Sequence, residues 1–261
     1  MAFISHCLAT CSLIAILAGS CSLSTIPNES GDTVSTPLNL EIPDYGTEEH
    51  IIEYNGFTVS YNHHTLVPNW VAYELTAEEL EVKYDSRSSN FSRDPNLRGK
   101  QASREDYSHS GWDKGHMVPK ADLRWSEQSY WQSHYFPNIC PQNHQLNGGD
   151  WNALEKTVRH WAKRYGRVWV VCGPVFDSCR FGTIGRAQVH VPDAFFKALL
   201  IRDGNEYHAV AYVMPNEGKH HPLRHYICSV DQLEELLGRD LFPALDDETE
   251  ALVEASVDWI D

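Results

Sequence analysis

Hydrophobic and polar residues alternate over Phe57–Tyr61 and again over Trp70–Leu75, and this period of two predicts a β-strand at each. Directly after the second, Thr76-Ala-Glu-Glu79 has the spacing of a helix capping box. A long polar loop rich in Ser, Asn and Arg then runs to about Ser110. Trp131, Tyr135 and Phe136 predict a short helix leading into a strand through Cys140. The clearest helix opens at Gly148-Gly149-Asp150. Trp151, Leu154, Val158 and Trp161 form one apolar stripe at helical spacing, and Gly166 stops it. Three β-like runs follow, Val168–Cys172, Val189–Ile201 and Tyr207–Met214. Ser229-Val-Asp-Gln232 caps a predicted helix to Leu237, and a last helix follows Asp246. Strands outnumber helices and adjoin one another without an internal repeat. This predicts an α+β domain with a mixed or antiparallel sheet, not a doubly wound parallel one.

The start of the chain has none of these periods. Leu8–Gly19 is a short apolar stretch of the length of an export-signal core, and Ala18-Gly19-Ser20-Cys21 is a loose lipoprotein cleavage box. The first basic residue is Lys83. The expected organisation is an export signal of lipoprotein type over 1–21, a disordered tether rich in Ser, Thr, Pro and Asn over 22–49, and a folded domain over 50–261. A lipid on Cys21 would make the membrane a partner and place the protein in a bacterial envelope, the periplasm or the medium. Of seven cysteines, Cys140, Cys172, Cys179 and Cys228 remain for the domain. Two disulfides in any of three pairings, with Cys172–Cys179 the simplest, stand against plain burial as free thiols. No CxxC pair exists, which argues against structural zinc.

Composition narrows the classes. With 42% hydrophobic, 11% aromatic and 22% charged residues the chain is neither fibrous nor wholly disordered. No apolar run reaches the roughly 18 residues of a spanning helix. The net charge of −15 argues at first against a polyanion partner, but the charge is unevenly spread. Ser86 to Arg167 holds thirteen basic and eight acidic residues, a local +5 that leaves −20 for the rest. That segment also carries Trp112, Trp125, Trp131, Trp151 and Trp161, the composition of a polyanion-binding face on an acidic body.

Candidate chemistry lies inside this basic segment. In Ser110-Gly-Trp-Asp-Lys-Gly-His116, a histidine follows a glycine and is flanked by Asp113 and Lys114. An imidazole can take a proton from water near neutral pH, as phosphodiester hydrolysis requires. Such hydrolysis also needs a divalent cation and positive charge around the transition state. Asn147 offers a neutral oxygen suited to a hard ion just before the long helix. Glu155 and Arg159 are four apart on that helix and share a face, placed away from the apolar stripe. Taken singly, each has a bland reading as a loop histidine, a helix cap or a surface ion pair.

Their joint spacing resembles the DNA/RNA non-specific endonucleases, the ββα-metal nucleases. That signature is Asp-Arg-Gly-His, then Asn-x-x-Pro-Gln, then Leu-Asn with a Trp and a Leu-Glu on the following helix. Here it reads Asp113-Lys-Gly-His116, Asn138-Ile-Cys-Pro-Gln142, Leu146-Asn147, Trp151 and Leu154-Glu155. Val67–Leu75, Asn90-Phe91 with Asp94-Pro95, Gly173–Phe176 and Gly238–Leu245 extend the likeness from about residue 50 to the end.

The resemblance implies a ββα-metal nuclease fold, a central mostly antiparallel sheet with helices on its faces. It implies a sugar-nonspecific endonuclease acting on DNA and RNA to leave 5′-phosphates, with Mg²⁺, or Mn²⁺ in its place, as cofactor. His116 would be the general base and Asn147 the protein ligand of the metal, which would stabilise the leaving 3′-oxygen. Glu155 would orient metal-bound water, Arg159 would contact the phosphate, and Asn138 would position the histidine or the metal-water cluster. Asp113 and an upstream arginine, Arg87 or Arg93, would lie on the substrate side. Lys114 stands where the signature has Arg, and an ammonium loses the bidentate fork, so a weakened or retuned activity is expected. The alternative is a surface nucleic-acid-binding lipoprotein with decayed catalysis. A metal carrier built on His63-His64 and His220-His221 with His225 is set aside, since those histidines lack acidic or Cys partners at ligand spacing.

Overall fold

The alternating segments pair as their patterns require. In the computed structural model, which describes residues 39–84 and 90–257, they build one antiparallel sheet. Its strands are β1 (His50–Tyr54), β2 (Phe57–Tyr61), β3 (Pro68–Thr76), β6 (Arg167–Val175), β9 (Ala194–Asp203), β10 (Glu206–Pro215) and β11 (Ile227–Cys228), in that spatial order. Between β3 and β6 the chain forms the one-turn α1 (Arg104–Tyr107), the hairpin strands β4 (Asp113–His116) and β5 (Ile139–Gln142), and α2 (Glu127–Gln132) within that hairpin's long connection. The short α3 (His144–Leu146) and the long α4 (Asn152–Tyr165) follow. A two-stranded ribbon, β7 (Thr183–Ile184) with β8 (Val189–His190), precedes β9. The helices α5 (Val230–Leu237) and α6 (Asp247–Glu254) close the chain.

Period two sends successive residues of each strand to opposite faces. Val168, Val170 and Cys172 of β6 face one core with Leu154, Val158 and Trp161 of α4. Trp169 and Val171 face a second core with Val230 and Leu233 of α5 and Val253 of α6. The sheet is thus a wall with α4 and the β4–β5 hairpin on one side and α5 and α6 on the other.

Several expectations need correction. The fold begins before residue 50. Leu40 is buried in the second core, and Glu49 accepts from Ser60 Oγ at 2.5 Å and Trp70 Nε1 at 3.1 Å while pairing with Arg239 at 2.7 Å. Residues 39–49 are therefore packed chain, not tether. The capping-box bonds between Thr76 and Glu79 form in both directions, yet only turns follow. Val189–Ile201 is two strands, because Val191-Pro-Asp193 turns the chain between β8 and β9. Cys140, Cys172, Cys179 and Cys228 are all free, so no disulfide forms among them. No helix of the described residues is long and apolar enough to cross a membrane. The leader, Cys21, residues 22–38 and Arg87 lie outside the described residues.

Candidate active site

The hairpin delivers the histidine. Asp113 pairs with Gln142, Lys114 with Pro141, Gly115 with Cys140 and His116 with Ile139, and α4 follows after a tight corner, completing a ββα unit. The His116 ring packs against Phe91 at 5.2 Å and edge-on to His134 at 5.2 Å between centroids. Its Nε2 is buried without a hydrogen-bond partner. Burial, with the neighbouring His134 and Lys120, pushes the imidazole pKa down to about 3. The ring is therefore neutral at physiological pH, at the cost of basicity in the protein without nucleic acid or metal.

Asn138 does not enter this pocket. It is buried, with Nδ2 donating to the carbonyls of Val118 at 3.0 Å and Ser133 at 2.8 Å while Oδ1 accepts from Val118 N–H at 2.9 Å. It clamps the backbone two residues beyond His116. Lys197 Nζ donates to Met117 O at 3.4 Å, and Trp151 Nε1 to His116 O at 3.3 Å. Three side chains from different elements thus hold His116–Val118 in place.

The corner into α4 presents Asn147. Asn147–Trp151 is a π-helical segment with Gly149 off helical geometry at φ −104 and ψ −105, and such insertions recur at functional sites. Asn147 Nδ2 donates to Asp113 Oδ2 at 3.0 Å, and His144 Nδ1 lies 2.9 Å from the same oxygen. The carboxylate is an acceptor only, so it fixes the amide orientation and leaves Asn147 Oδ1 unspent among the described residues. Asp150 is buried and anchors the loop before β11, accepting from His221 N–H at 2.9 Å and Tyr226 Oη at 2.6 Å and pairing with His220. His220 therefore does have an acidic partner, contrary to expectation, in a contact that braces the corner.

Glu155 and Arg159 share a face as expected, but it is turned inward rather than away from the stripe. Arg159 Nη1 bonds the buried Asp122 Oδ1 at 2.7 Å, and Tyr73 Oη donates to Asp122 Oδ2 at 3.2 Å. Lys197, fully buried, sits 4.7 Å over the Trp151 ring. Burial raises the Glu155 carboxyl to about 7, with Lys197 and Arg159 opposing it and Asp122 adding to it. Glu155 accepts no hydrogen bond from the described residues. A carboxylate oxygen and an amide oxygen therefore stand available one helical turn either side of Trp151, whose indole touches the His116 carbonyl.

This hairpin, corner and helix match a known family. Residues 37–248 fit the model of the DNA/RNA non-specific endonucleases. The chain belongs to that family. It is 33% identical over 219 residues to "Nuclease EXOG, mitochondrial" of Danio rerio, covering 78% of this chain and 63% of that protein. It is 31% identical over 195 residues to human "Endonuclease G, mitochondrial", covering 70% of this chain and 66% of that one. It thus spans less than two thirds of the length of these relatives. A chain from the crystal structure of the EndoG/EndoGI complex superimposes with a TM-score of 0.71 at 26% identity, over 78% of this chain and 90% of that one. The family's α+β fold, with its large antiparallel sheet, is the one observed. The expected bacterial export is overturned by these relatives, which are named as mitochondrial nucleases and point away from an envelope location.

Within the family frame, the substrate-side residues fall as follows. Lys114 Nζ lies over the Phe91 and Tyr107 rings at 5.5 and 5.7 Å, on the aromatic group that also packs His116. Arg93 is exposed and lines a shallow groove with Phe91 and Arg104. Asp113 holds Asn147, so its place is beside the metal candidate rather than on the substrate. Sequence reasoning missed Asp122, His134 and Lys197. Lys197 had a visible signal, a single cation inside the apolar run Ala194–Ile201. Asp122 and His134 had none, since Arg159, which pairs with the first, and Phe91 and His116, which pack on the second, lie in other elements.

Proposed function

We propose that this chain is a divalent-metal-dependent nuclease that hydrolyses the phosphodiester backbone of DNA and RNA. The observation that carries the reading is the half-buried, neutral His116 with a buried, unpartnered Nε2, on the same hairpin strand as the Asp113 that orients the Asn147 amide. The residues fit a hard cation: Asn147 Oδ1 and the Glu155 carboxylate are oxygen donors without other partners among the described residues, the ligand class that Mg²⁺ and Mn²⁺ prefer. When bound, such an ion supplies charge stabilisation for the departing oxygen.

The chain's own residues do the remaining work. His116 Nε2 accepts the proton of the attacking water, and the aromatic wall of Phe91 and His134 keeps the ring neutral and fixed. Asn138, Trp151 and Lys197 hold the backbone that carries it. Arg159 spends one N–H on Asp122, and the guanidinium has further donors to turn toward a phosphate. Lys114 and Arg93 add positive charge on the Phe91 side.

The test is degradation of plasmid DNA and total RNA with Mg²⁺, with Mn²⁺ and with chelator, with His116→Ala in parallel. Cleavage of both that requires metal and His116 supports the proposal. Tight binding without cleavage under either ion overturns it and makes the chain a binding module.

A further inference from the structure

Helix α4 carries a second polar row beside Glu155 and Arg159. Lys156, His160 and Lys163 follow one another at helical spacing, and all three are exposed. With Lys83, Arg124 and Arg159 they line an open groove of about 410 Å³, completed by Leu80, Val82 and Ala121. Among the described residues no carboxylate lines it, in a chain whose net charge is −15. Among the described residues Lys83, Lys156 and Lys163 make no ion pair. Arg124 is fixed by its Nε donating to Tyr84 O at 3.0 Å.

Clustered like charges repel and cost stability unless something neutralises them. A groove built as a solvated helix face would intersperse acids at i±4, and none of the described residues lining this one is an acid. Arg159 is the joint between groove and active site, because it lines the groove while its Nη1 rests on Asp122 beside Glu155. From Lys156 to Lys163 the helix rises about 10 Å, roughly the axial length of three nucleotides of one strand.

We infer that this groove is a second phosphate-binding track, gripping the sugar–phosphate backbone of the strand that leads away from the bond being cut. It offers charge and little base-stacking surface, so it anchors nucleic acid without reading sequence. The nucleic-acid identity of the ligand rests on the nuclease reading, whereas the polyanion chemistry of the groove stands on its lining alone.

The test separates the two by measuring binding without cleavage. Full-length chain carrying His116→Ala is titrated with a short duplex in chelator across a salt series. In that background, Lys156→Gln with Lys163→Gln should weaken binding about tenfold at moderate salt. It should also flatten the slope of log affinity against log salt by about 2, near 0.9 for each lost phosphate contact. Arg202→Gln, a cation at the far end of β9, should leave the slope as in the parent. Slopes that do not change in the double variant, or that change equally in Arg202→Gln, overturn the inference. If the double variant unfolds, Lys83→Gln across the groove carries the test, with a slope change of about 1 expected. Failure of the wild-type chain to cleave would sink the nuclease reading while leaving this binding result standing.

Discussion

Asn147 donates its amide N–H to Asp113 Oδ2 at 3.0 Å, across the gap between the hairpin and the corner before α4. The two residues are 34 apart in sequence, and this bond decides which end of the amide faces the site. Removing an outer-shell partner of this kind usually costs about 10–100-fold in metal affinity or activity. Asp113→Ala should therefore raise the Mg²⁺ concentration for half-maximal cleavage by about that factor, with Asp113→Asn between. A metal titration of the cleavage rate checks it, and an unchanged midpoint in Asp113→Ala would show that Asn147 is oriented by something else.

The acid side of the pH profile should belong to Glu155, not His116. The His116 pKa lies near 3, so its neutral fraction does not change between pH 5 and pH 8. Glu155, raised by burial to about 7, loses its charge as pH falls through that value in the metal-free protein. Apparent metal affinity should then drop by up to about tenfold per pH unit below 7. Lys197 favours the charged carboxylate, so Lys197→Met should move this limb to higher pH. Metal titrations at pH 6, 7 and 8 on both proteins would decide, and a limb unmoved by Lys197→Met would contradict the assignment.

How much of this was legible beforehand follows from the range of each interaction. His116, Asn147 and Glu155 could be singled out because the resemblance rests on spacing local to a hairpin and one helix, and the α4 stripe ended by Gly166, where φ is +89, was readable for the same reason. Asp122 and His134 were not, since a buried Asp with an arginine 37 residues away leaves no periodic trace. The Thr76–Glu79 box shows the converse. Its local bonds form as read, but Ala77 N–H bonds Gly166 O at 2.8 Å, and the chain turns away before a helix can follow. Residues 39–49 looked like tether because Leu40 and Glu49 reach their partners singly, without a repeat.

Lys114 gives a direct test of the departure from the family signature. Its ammonium sits 5.5 Å above Phe91, a place where a planar guanidinium could also stack while presenting two donors to phosphate. Lys114→Arg should raise kcat/KM on duplex DNA several-fold. A rate that is unchanged or lower would remove the position from phosphate contact.

Far from the site, Glu254 should make stability fall as pH rises from about 4.5 to about 9. Its ligand atom lies with those of Asp231 and Glu234 inside 4.8 Å, and Glu254 is 2% exposed. Burial first, then the neighbouring carboxylates, raises its pKa to about 9 from an ordinary 4.5. A carboxyl raised on folding contributes stability that is full below the unfolded value and is lost as pH rises through the folded one. Glu254→Gln should therefore raise Tm by a few degrees at pH 8 and by much less at pH 4. Equal shifts at both pH values would show that charge is not the cause.

Gly115 is required by space rather than by backbone angle. A Cβ there would lie 2.6 Å from Gln142 Cβ and overlap Gln142 Oε1, within the β4–β5 hairpin that carries His116. Gln142 is fully buried, so the clash cannot be relieved by swinging its side chain into solvent. Overpacking of this kind typically costs about 1–3 kcal/mol. Gly115→Ala should lower Tm accordingly and reduce cleavage by more than the loss of folded protein explains, since the strain falls one residue from the base. Pairing it with Gln142→Gly, which removes every overlapping side-chain atom, should restore part of the stability. If Gly115→Ala alone is as stable and active as the parent, the close approach of the two strands is not what holds His116 in place.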